Sequence, residues 1–219
     1  MQKFDINTIQ KKCNILISSN LLTLTNKLIT KLLAQLIDDD MEYEIVVLSE
    51  YSLYNLSMFK NVKYVITDFS EYIDSLKHST KHYFIIYNTM CNAHILNGTK
   101  WLEKANKCNN VTNIIDQPFY IDYDTKMKNL FNYVFMFNRI SGLTKKKTYE
   151  QFFYYTGTYE DYDNQLQQYC KSANDFLFCD CANLQSFCGN IDDMVPYSNI
   201  FNKYPLLAYL EIDKIVIDI

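Results

Sequence analysis

The chain has 219 residues, of which 48% are hydrophobic, and its mixed charges sum to −4 at pH 7. This length and composition exclude wholesale disorder and suit one α/β domain with a full core. The net charge is negative and Arg139 is the only arginine, which argues against independent nucleic-acid binding, because that activity usually needs a basic face. Contact with DNA is therefore not favoured.

Apolar runs alternate with helical patterns along the chain, which is typical of βαβ units and a mainly parallel sheet. Residues 14–17 form the first predicted strand, and residues 26–37 follow as a helix with leucine and isoleucine on one face. Strands are then predicted at 44–48 and 62–66, and a short helix at 70–76.

The run at 83–87 is apolar throughout, which indicates a central strand with both faces covered. The elements after it are predicted in this order: a helix at 99–107, strands at 111–115 and 132–137, helices at 145–155 and 159–170, and a strand at 175–181. Residues 206–219 resemble one or two strands that pack on the sheet edge or against a partner. The predicted fold class is α/β, a mainly parallel central sheet flanked by helices, in one domain over 1–205 with 206–219 as its extension.

Seven cysteines form an odd set, so a complete disulfide framework is excluded and reduced thiols are expected. Cys179 and Cys181 alternate along a predicted strand with Cys188 nearby, which raises a zinc site as an alternative to buried cysteine. The chain has no C-x-x-C pair and no histidine after His94, so buried cysteine is favoured and no metal is expected. No apolar stretch reaches the roughly 18 residues of a membrane span and no signal peptide is recognised, so we expect a soluble intracellular protein.

The segment at 13–25 is arranged like a P-loop, with an apolar strand, a turn and an amphipathic helix. A loop that wraps phosphates needs glycines, so that backbone N–H groups converge on the anion, and a lysine that neutralises the β- and γ-phosphates. The first 97 residues contain no glycine. The motif positions G-x-x-x-x-G-K-[ST] hold Ser18, Thr23, Leu24 and Thr25, so only the final hydroxyl is retained. We interpret the segment as a degenerate Walker A motif, with an ordinary strand–helix connection as the alternative.

The end of the central strand lacks the acidic pair that P-loop ATPases use to hold Mg²⁺ and to polarise the attacking water. Asn88 and Thr89 stand where this Walker B pair is expected, and neither can carry a negative charge or act as a base. We interpret them as degenerate Walker B positions, with an ordinary polar strand end as the alternative.

Three consecutive lysines, Lys145, Lys146 and Lys147, are candidates for a basic contact with DNA or with an acidic face of a partner. A charge run on a helix is more often a solvated face, and that interpretation is favoured.

The second half of the chain carries a series of motifs whose order is informative. A Tyr-Val-Phe strand at 133–137 is followed by a basic stretch ending in Tyr-Glu at 145–150, by Gly157, and by a strand at 176–180 that ends in an acidic residue, with Asn183 close behind. This order resembles the virion DNA-packaging ATPases of large DNA viruses, the vaccinia-type branch of the FtsK–HerA class. The similarity covers residues 13–200.

The resemblance implies a P-loop NTPase-like fold of the RecA/FtsK–HerA type and two further site positions. The arginine that such ATPases direct at a neighbour's nucleotide corresponds to Asn106, so the arginine-finger position is degenerate. Gln117 corresponds to a glutamine that senses the γ-phosphate. Loss of an arginine finger alone costs on the order of 10³ to 10⁵ in rate, so the combined losses imply an inactive protein without a cofactor.

The leading hypothesis is an inactive packaging-ATPase-like viral protein with a structural or regulatory role, located in the virion or in the viral factory of the host cytoplasm. Its expected partners are viral proteins, among them an active packaging ATPase, a capsid component or a second copy of the chain. One alternative is a divergent ATPase that binds ATP and Mg²⁺, drives DNA packaging and brings Lys27 to the phosphates. Another is an unrelated α/β interaction module. Both ATPase-like hypotheses require strand 14–17 to lie beside strand 83–87 or one strand away, with the turn after Ile17 facing Asn88.

Overall fold

The computed structural model describes residues 1–38, 40–48, 54–65, 73, 76, 79–88, 99–117, 125–138 and 140–194. The strands in these residues are β1 (Gln2–Lys3), β2 (Asn14–Ser18), β3 (Tyr43–Leu48), β4 (Val62–Tyr64), β5 (His82–Asn88), β6 (Val111–Gln117), β7 (Tyr133–Phe137), β8 (Asp175–Asp180) and β9 (Gln185–Asn190). The α-helices are α1 (Leu22–Leu36), α2 (Thr99–Asn106), α3 (Thr125–Lys128), α4 (Gly142–Thr148), α5 (Tyr159–Tyr169) and α6 (Ile191–Met194).

The described strands form one sheet in the order β1-β9-β8-β7-β2-β6-β5-β3-β4. From β7 to β4, every strand is parallel to its neighbours. On the other side, β8 is antiparallel to both β7 and β9, and β1 pairs in parallel with β9. The predicted α/β class with a mainly parallel sheet is therefore confirmed.

Helices cover both faces of the parallel strands, and each face has its own hydrophobic core. On one face, α1 buries side chains such as Leu28 and Leu32 in a cluster with Ile17 and Ile114. On the other face, residues of α2 and α5 pack in a cluster with Leu16 and Ile115. Strands covered in this way are buried on both sides, which explains their continuous apolar sequences.

The seven strands predicted between residues 14 and 181 correspond to strands of the structure, although several ends differ. β5 and β6 extend beyond their predicted ends to Asn88 and Gln117, because both strands continue to pair with parallel neighbours where their side chains turn polar. β4 ends at Tyr64, and residue 66 of that prediction lies outside the described residues.

The helix predictions are confirmed with changes in length and type. The helix predicted at 26–37 begins earlier, at Leu22. The helix predicted at 145–155 is composite, with α4 followed by a π-helical turn at Tyr149–Phe153 and a 3-10 turn at Tyr154–Thr156. Of the helix predicted at 70–76, only residues 73 and 76 are described, both helical, and the predicted strands at 206–219 lie outside the described residues.

The sequence pattern does not predict β1, β9, α3 or α6. β9 is half polar, and it contains Gly189, where a Cβ atom would stand 2.5 Å from Cζ of Phe176. Glycine at this position therefore lets β9 lie closely against β8. Within the described residues, every helix is too short or too polar to cross a membrane.

Candidate functional site

The connection between β2 and α1 is a tight turn, residues 19–21, at the carboxyl edge of the parallel strands. The Ser19 N–H donates to the carbonyl of Gln117 at 3.4 Å, and the Leu21 N–H donates to Ser19 Oγ at 3.2 Å. Two backbone donors of the turn, those of Ser19 and Leu21, are thus engaged within the protein. The turn also lacks the alternation of right- and left-handed residues that forms an anion nest. The described residues with positive φ all lie elsewhere: Asn61, Gly157 and Leu184.

The four predicted Walker A positions lie on both sides of this turn. Ser18 is the buried last residue of β2, and Thr23 is exposed in the first turn of α1. Leu24, at the position of the P-loop lysine, packs in the hydrophobic core beneath α1. Thr25 is buried, and its hydroxyl lies 3.4 Å from the Leu21 carbonyl.

Strand order brings most of the predicted site residues to one edge of the sheet. β6 lies between β2 and β5, so the first strand is one strand away from the central strand, as both ATPase-like hypotheses require. Ser18 pairs with Gln117, and Asn88 pairs with Asp116. Thr89 lies outside the described residues.

Asp116 is the residue at this edge that the sequence analysis missed. Its side chain is 2% exposed, and its Oδ2 accepts hydrogen bonds from the Tyr54 hydroxyl at 2.9 Å and from Asn88 Nδ2 at 2.7 Å. A carboxylate thus reaches the predicted Walker B position from the neighbouring strand. The available signal was a lone acid after the predicted strand 111–115, directly before Gln117.

Burial dominates the electrostatics of Asp116. It raises the pKa of the carboxyl from 3.8 to about 6, and the neutral groups of Tyr54, Asn88 and Thr25 counteract this shift only in part. Desolvation disfavours the charged form, and only a nearby cation or strong donors would restore it. A perturbed acid at the carboxyl ends of parallel strands is a candidate functional residue.

Asn106, at the predicted arginine-finger position, lies at the opposite edge of the sheet. Its Oδ1 accepts a hydrogen bond of 2.6 Å from Nδ2 of Asn14, the first residue of β2. Asn14 Nδ2 also donates to the Leu130 carbonyl, and its Oδ1 accepts from Asn113. These contacts give Asn106 a structural role within its own subunit, and its correspondence to an arginine finger stays a prediction.

The lysines of α1 are engaged with the segment that follows β9. Lys27 Nζ forms an ion pair with Asp192 Oδ1 at 2.5 Å. The buried Lys31 donates to the Ile191 carbonyl at 2.6 Å and to the Asp192 carbonyl at 3.2 Å. Both lysines therefore tie α1 to the start of α6.

Two of the three consecutive lysines form ion pairs within the protein. Lys145 pairs with Asp163 at 2.9 Å, and Lys147 pairs with Glu150 at 3.2 Å. Lys146 is exposed. These pairings favour the solvated helix face over a basic contact site.

The cysteines of the described chain are reduced, and most of them are buried. Burial raises the pKa values of Cys13 and Cys170 to about 12, so these thiols stay protonated in the core. The Sγ atoms of Cys179 and Cys181 lie 3.7 Å apart, and the Tyr155 hydroxyl is 3.3 Å from Cys179 Sγ. In the part of the chain that the structure describes, no group of three or more His, Cys, Asp or Glu side chains is placed to hold a metal ion.

No protein-family model matches the sequence, and no curated protein matches it. Solved structures do match the fold. The genome packaging NTPase B204 from Sulfolobus turreted icosahedral virus 2, in complex with AMP, is 10% identical with a TM-score of 0.57, covering 82% of this chain and 98% of that chain. The same protein in complex with sulfate is 15% identical with a TM-score of 0.56, covering 83% of this chain and 98% of that chain.

A bacterial ATPase is also similar. The cytoplasmic domain of the type VII secretion ATPase EccC from Thermomonospora curvata is 9% identical with a TM-score of 0.51, covering 81% of this chain and 25% of that chain. At such identities the likeness shows the fold alone. The chain therefore has a packaging-ATPase-like fold of the P-loop NTPase type.

Proposed function

We propose that this chain is a catalytically inactive, packaging-ATPase-like viral protein with a structural or regulatory role. The observation that carries the proposal is the turn between β2 and α1, which has no glycine, no left-handed residue and no cation. Phosphate binding at such a turn depends on converging N–H groups and on a lysine, and Leu24 occupies the lysine position in the core.

Asp116 opposes the binding of a triphosphate that brings no metal ion. Its carboxylate lies buried among neutral groups at the edge where phosphates would be held. Like charges at close range in a poorly solvated site repel strongly. The edge is therefore better suited to a positive or neutral partner than to an anion without a metal ion.

The expected partners are virion or packaging components: an active packaging ATPase, a capsid protein or a second copy of the chain, in the virion or in the viral factory. Two exposed apolar side chains at the carboxyl edge support a binding role. Leu22 at the start of α1 is 41% exposed, and Leu143 near the start of α4 is 63% exposed. Each is a large apolar side chain that is open to a protein contact.

One observation favours the second candidate, a divergent ATPase. Asp116 lies near the Thr25 hydroxyl, and a carboxylate with a threonine hydroxyl is a pair that holds Mg²⁺ in P-loop enzymes. This function would also need a lysine at the phosphates, and the predicted candidate Lys27 is paired with Asp192. We therefore favour the inactive protein.

Phosphate release from Mg-ATP, with and without double-stranded DNA, separates the two functions. We expect the wild-type chain to show the same background rate as Asp116→Asn, because neither has a source of transition-state stabilisation. Turnover by the wild type that is lost in both Asp116→Asn and Lys27→Ala would establish the divergent ATPase instead. Turnover retained in Lys27→Ala would exclude Lys27 as the substitute lysine.

A further inference from the structure

A groove opens at the amino edge of β7, at the opposite end of the parallel strands from Ser18 and Asn88. Its walls are the end of α3 with the residues before β7, the π-helical and 3-10 turns after α4, and the connection between β8 and β9, residues 181–184. We call it the hairpin groove. Its volume is about 240 Å³. Small-molecule sites usually exceed about 300 Å³, so this volume suits one or two side chains better than a nucleotide or a cofactor.

Leu184 ends the β8–β9 connection in a conformation that leucine rarely adopts. Its φ is 52°, in the left-handed region that favours glycine or asparagine. The turn is fixed by Asp180, whose carboxylate accepts hydrogen bonds from the N–H groups of Ala182 and Asn183, both at 3.1 Å. The side chain of Leu184 is 47% exposed, so its own burial gives the folded chain little in return for the strain. Strained residues of this kind are concentrated at ligand-binding sites.

Tyr154 is the second large exposed side chain that lines the groove, and it is 50% exposed. It directly follows the π-helical turn Tyr149–Phe153, which contributes Phe152 to the same wall. π-Helical turns are rare and occur frequently at functional sites. The leucine, tyrosine and phenylalanine side chains therefore give the groove the apolar contacts that would hold a large side chain of a partner.

Lys128 is the one charged residue among the described residues that line the groove. Its Nζ lies 5.6 Å from the centroid of the Tyr154 ring, and no carboxylate of the described chain is within ion-pair distance of it. Lys126, on the same helix, pairs instead with Glu103. A positive charge beside apolar side chains is complementary to a carboxylate beside an apolar side chain.

We infer that the hairpin groove docks a segment of a partner protein in which a large apolar side chain stands beside an aspartate or a glutamate. The apolar side chain packs against Leu184 and Tyr154, and the carboxylate pairs with Lys128. This contact surface goes beyond the proposed function and does not depend on it, because the groove and the turn between β2 and α1 lie at opposite edges of the sheet.

Matched dipeptides test this chemistry on the full chain by ¹H–¹⁵N NMR. The probes are N-acetyl-Phe-Asp-amide, N-acetyl-Phe-Asn-amide and N-acetyl-Phe-Lys-amide, at constant ionic strength. We expect the aspartyl dipeptide to shift the amide signals of Leu184 and Tyr154 saturably. Its dissociation constant should be about three- to fivefold below that of the asparaginyl dipeptide, the range for a partly exposed ion pair. The lysyl dipeptide should bind most weakly.

Two variants and a control separate binding from structure. Lys128→Gln should make the three dipeptides bind alike, whereas Lys146→Gln, with the same change in net charge at an exposed lysine of α4, should respond like the wild type. Leu184→Asn should weaken the binding of every dipeptide about tenfold, which corresponds to roughly 50 Å² of apolar contact. Its urea midpoint of unfolding should be no lower than that of the wild type, because asparagine tolerates the left-handed conformation.

The inference is overturned if the signals of Leu184 and Tyr154 show no saturable shift, or if the wild type binds the aspartyl and lysyl dipeptides equally. A lower unfolding midpoint of Leu184→Asn with unchanged dipeptide affinity would also overturn it, since Leu184 would then have only a structural role. Two further probes separate other ligands. If 3-phenylpropionate binds as tightly as the aspartyl dipeptide, the ligand is a small acid. If thymidine 5′-monophosphate binds more tightly, it is a nucleic acid, and either result replaces the protein segment.

Discussion

The stability difference between the Asp116→Asn variant and the wild type should change by about 3 kcal/mol in favour of the variant as the pH rises from about 3 to about 7. The pKa of Asp116 is raised by burial from 3.8 to about 6 in the folded chain. A raised carboxyl pKa contributes stability that is fully present below the unfolded value and is lost as the pH rises through the folded value. Asparagine does not titrate, so the Asp116→Asn variant does not lose this stability as the pH rises.

Urea unfolding of both proteins at a series of pH values measures this difference. Asp163→Asn is a control of opposite sign, because a hydrogen bond from Lys145 lowers the pKa of Asp163. The stability that Asp163 contributes is present above its unfolded pKa and is lost as the pH falls. A difference between Asp116→Asn and the wild type that is independent of pH would show that Asp116 is not buried as a titrating acid.

Phe178→Ala should lower the free energy of unfolding by about 3 to 5 kcal/mol, the range for removal of a buried phenylalanine. Phe178 is fully buried on β8, at the centre of an aromatic cluster. Its ring centroid lies 4.5 Å from that of Phe4, 5.0 Å from that of Phe135 and 5.5 Å from that of Tyr133. The cluster joins the antiparallel strands to the parallel sheet. The cavity that alanine leaves at residue 178 would therefore weaken the packing of both sets of strands.

Chemical denaturation of Phe178→Ala beside Phe178→Leu tests this prediction. Leucine keeps most of the buried volume, so the Phe178→Leu variant should lose only about 1.5 kcal/mol. Equal costs for the two variants, or a cost for alanine below that of leucine, would contradict the packing seen for β8.

The parallel half of the fold could be predicted because its strands have a strong local signal. The runs at 15–17 and 83–87 are apolar throughout, as expected for strands that helices cover on both faces. The polar ends of β5 and β6 were harder to predict. Asn88 and Gln117 belong to the strands because neighbouring backbones pair with them, and that pairing is a tertiary property.

β1 and β9 were not predicted, because they are recognised by their pairing with neighbouring strands and not by a local sequence pattern. β1 has two residues, and its partner β9 combines polar side chains with a glycine. Gly189 is needed because the ring of Phe176 occupies the space of a Cβ atom. Neither strand shows the alternation or the apolar run from which strands are recognised.

The sequence predicted which polar residues meet at the carboxyl edge more readily than it predicted their contacts. Ser18, Asn88 and Gln117 were singled out, and the structure places them at one edge. Asp116 was missed because its position beside Asn88 depends on strand register, and its partner Tyr54 lies 62 residues away in the sequence. A single acid after a predicted strand carries no local signal of such contacts.

Calorimetric titration with Mg-ATPγS tests the central claim most directly: that a nucleotide-binding architecture is retained without a phosphate-binding turn. We expect no saturable heat of binding, with or without DNA, because the turn after β2 has neither a glycine-rich anion-binding backbone nor a cation. Saturable binding of Mg-ATPγS with a dissociation constant in the micromolar range, abolished by excess Mg-ATP, would contradict the loss of the phosphate-binding turn.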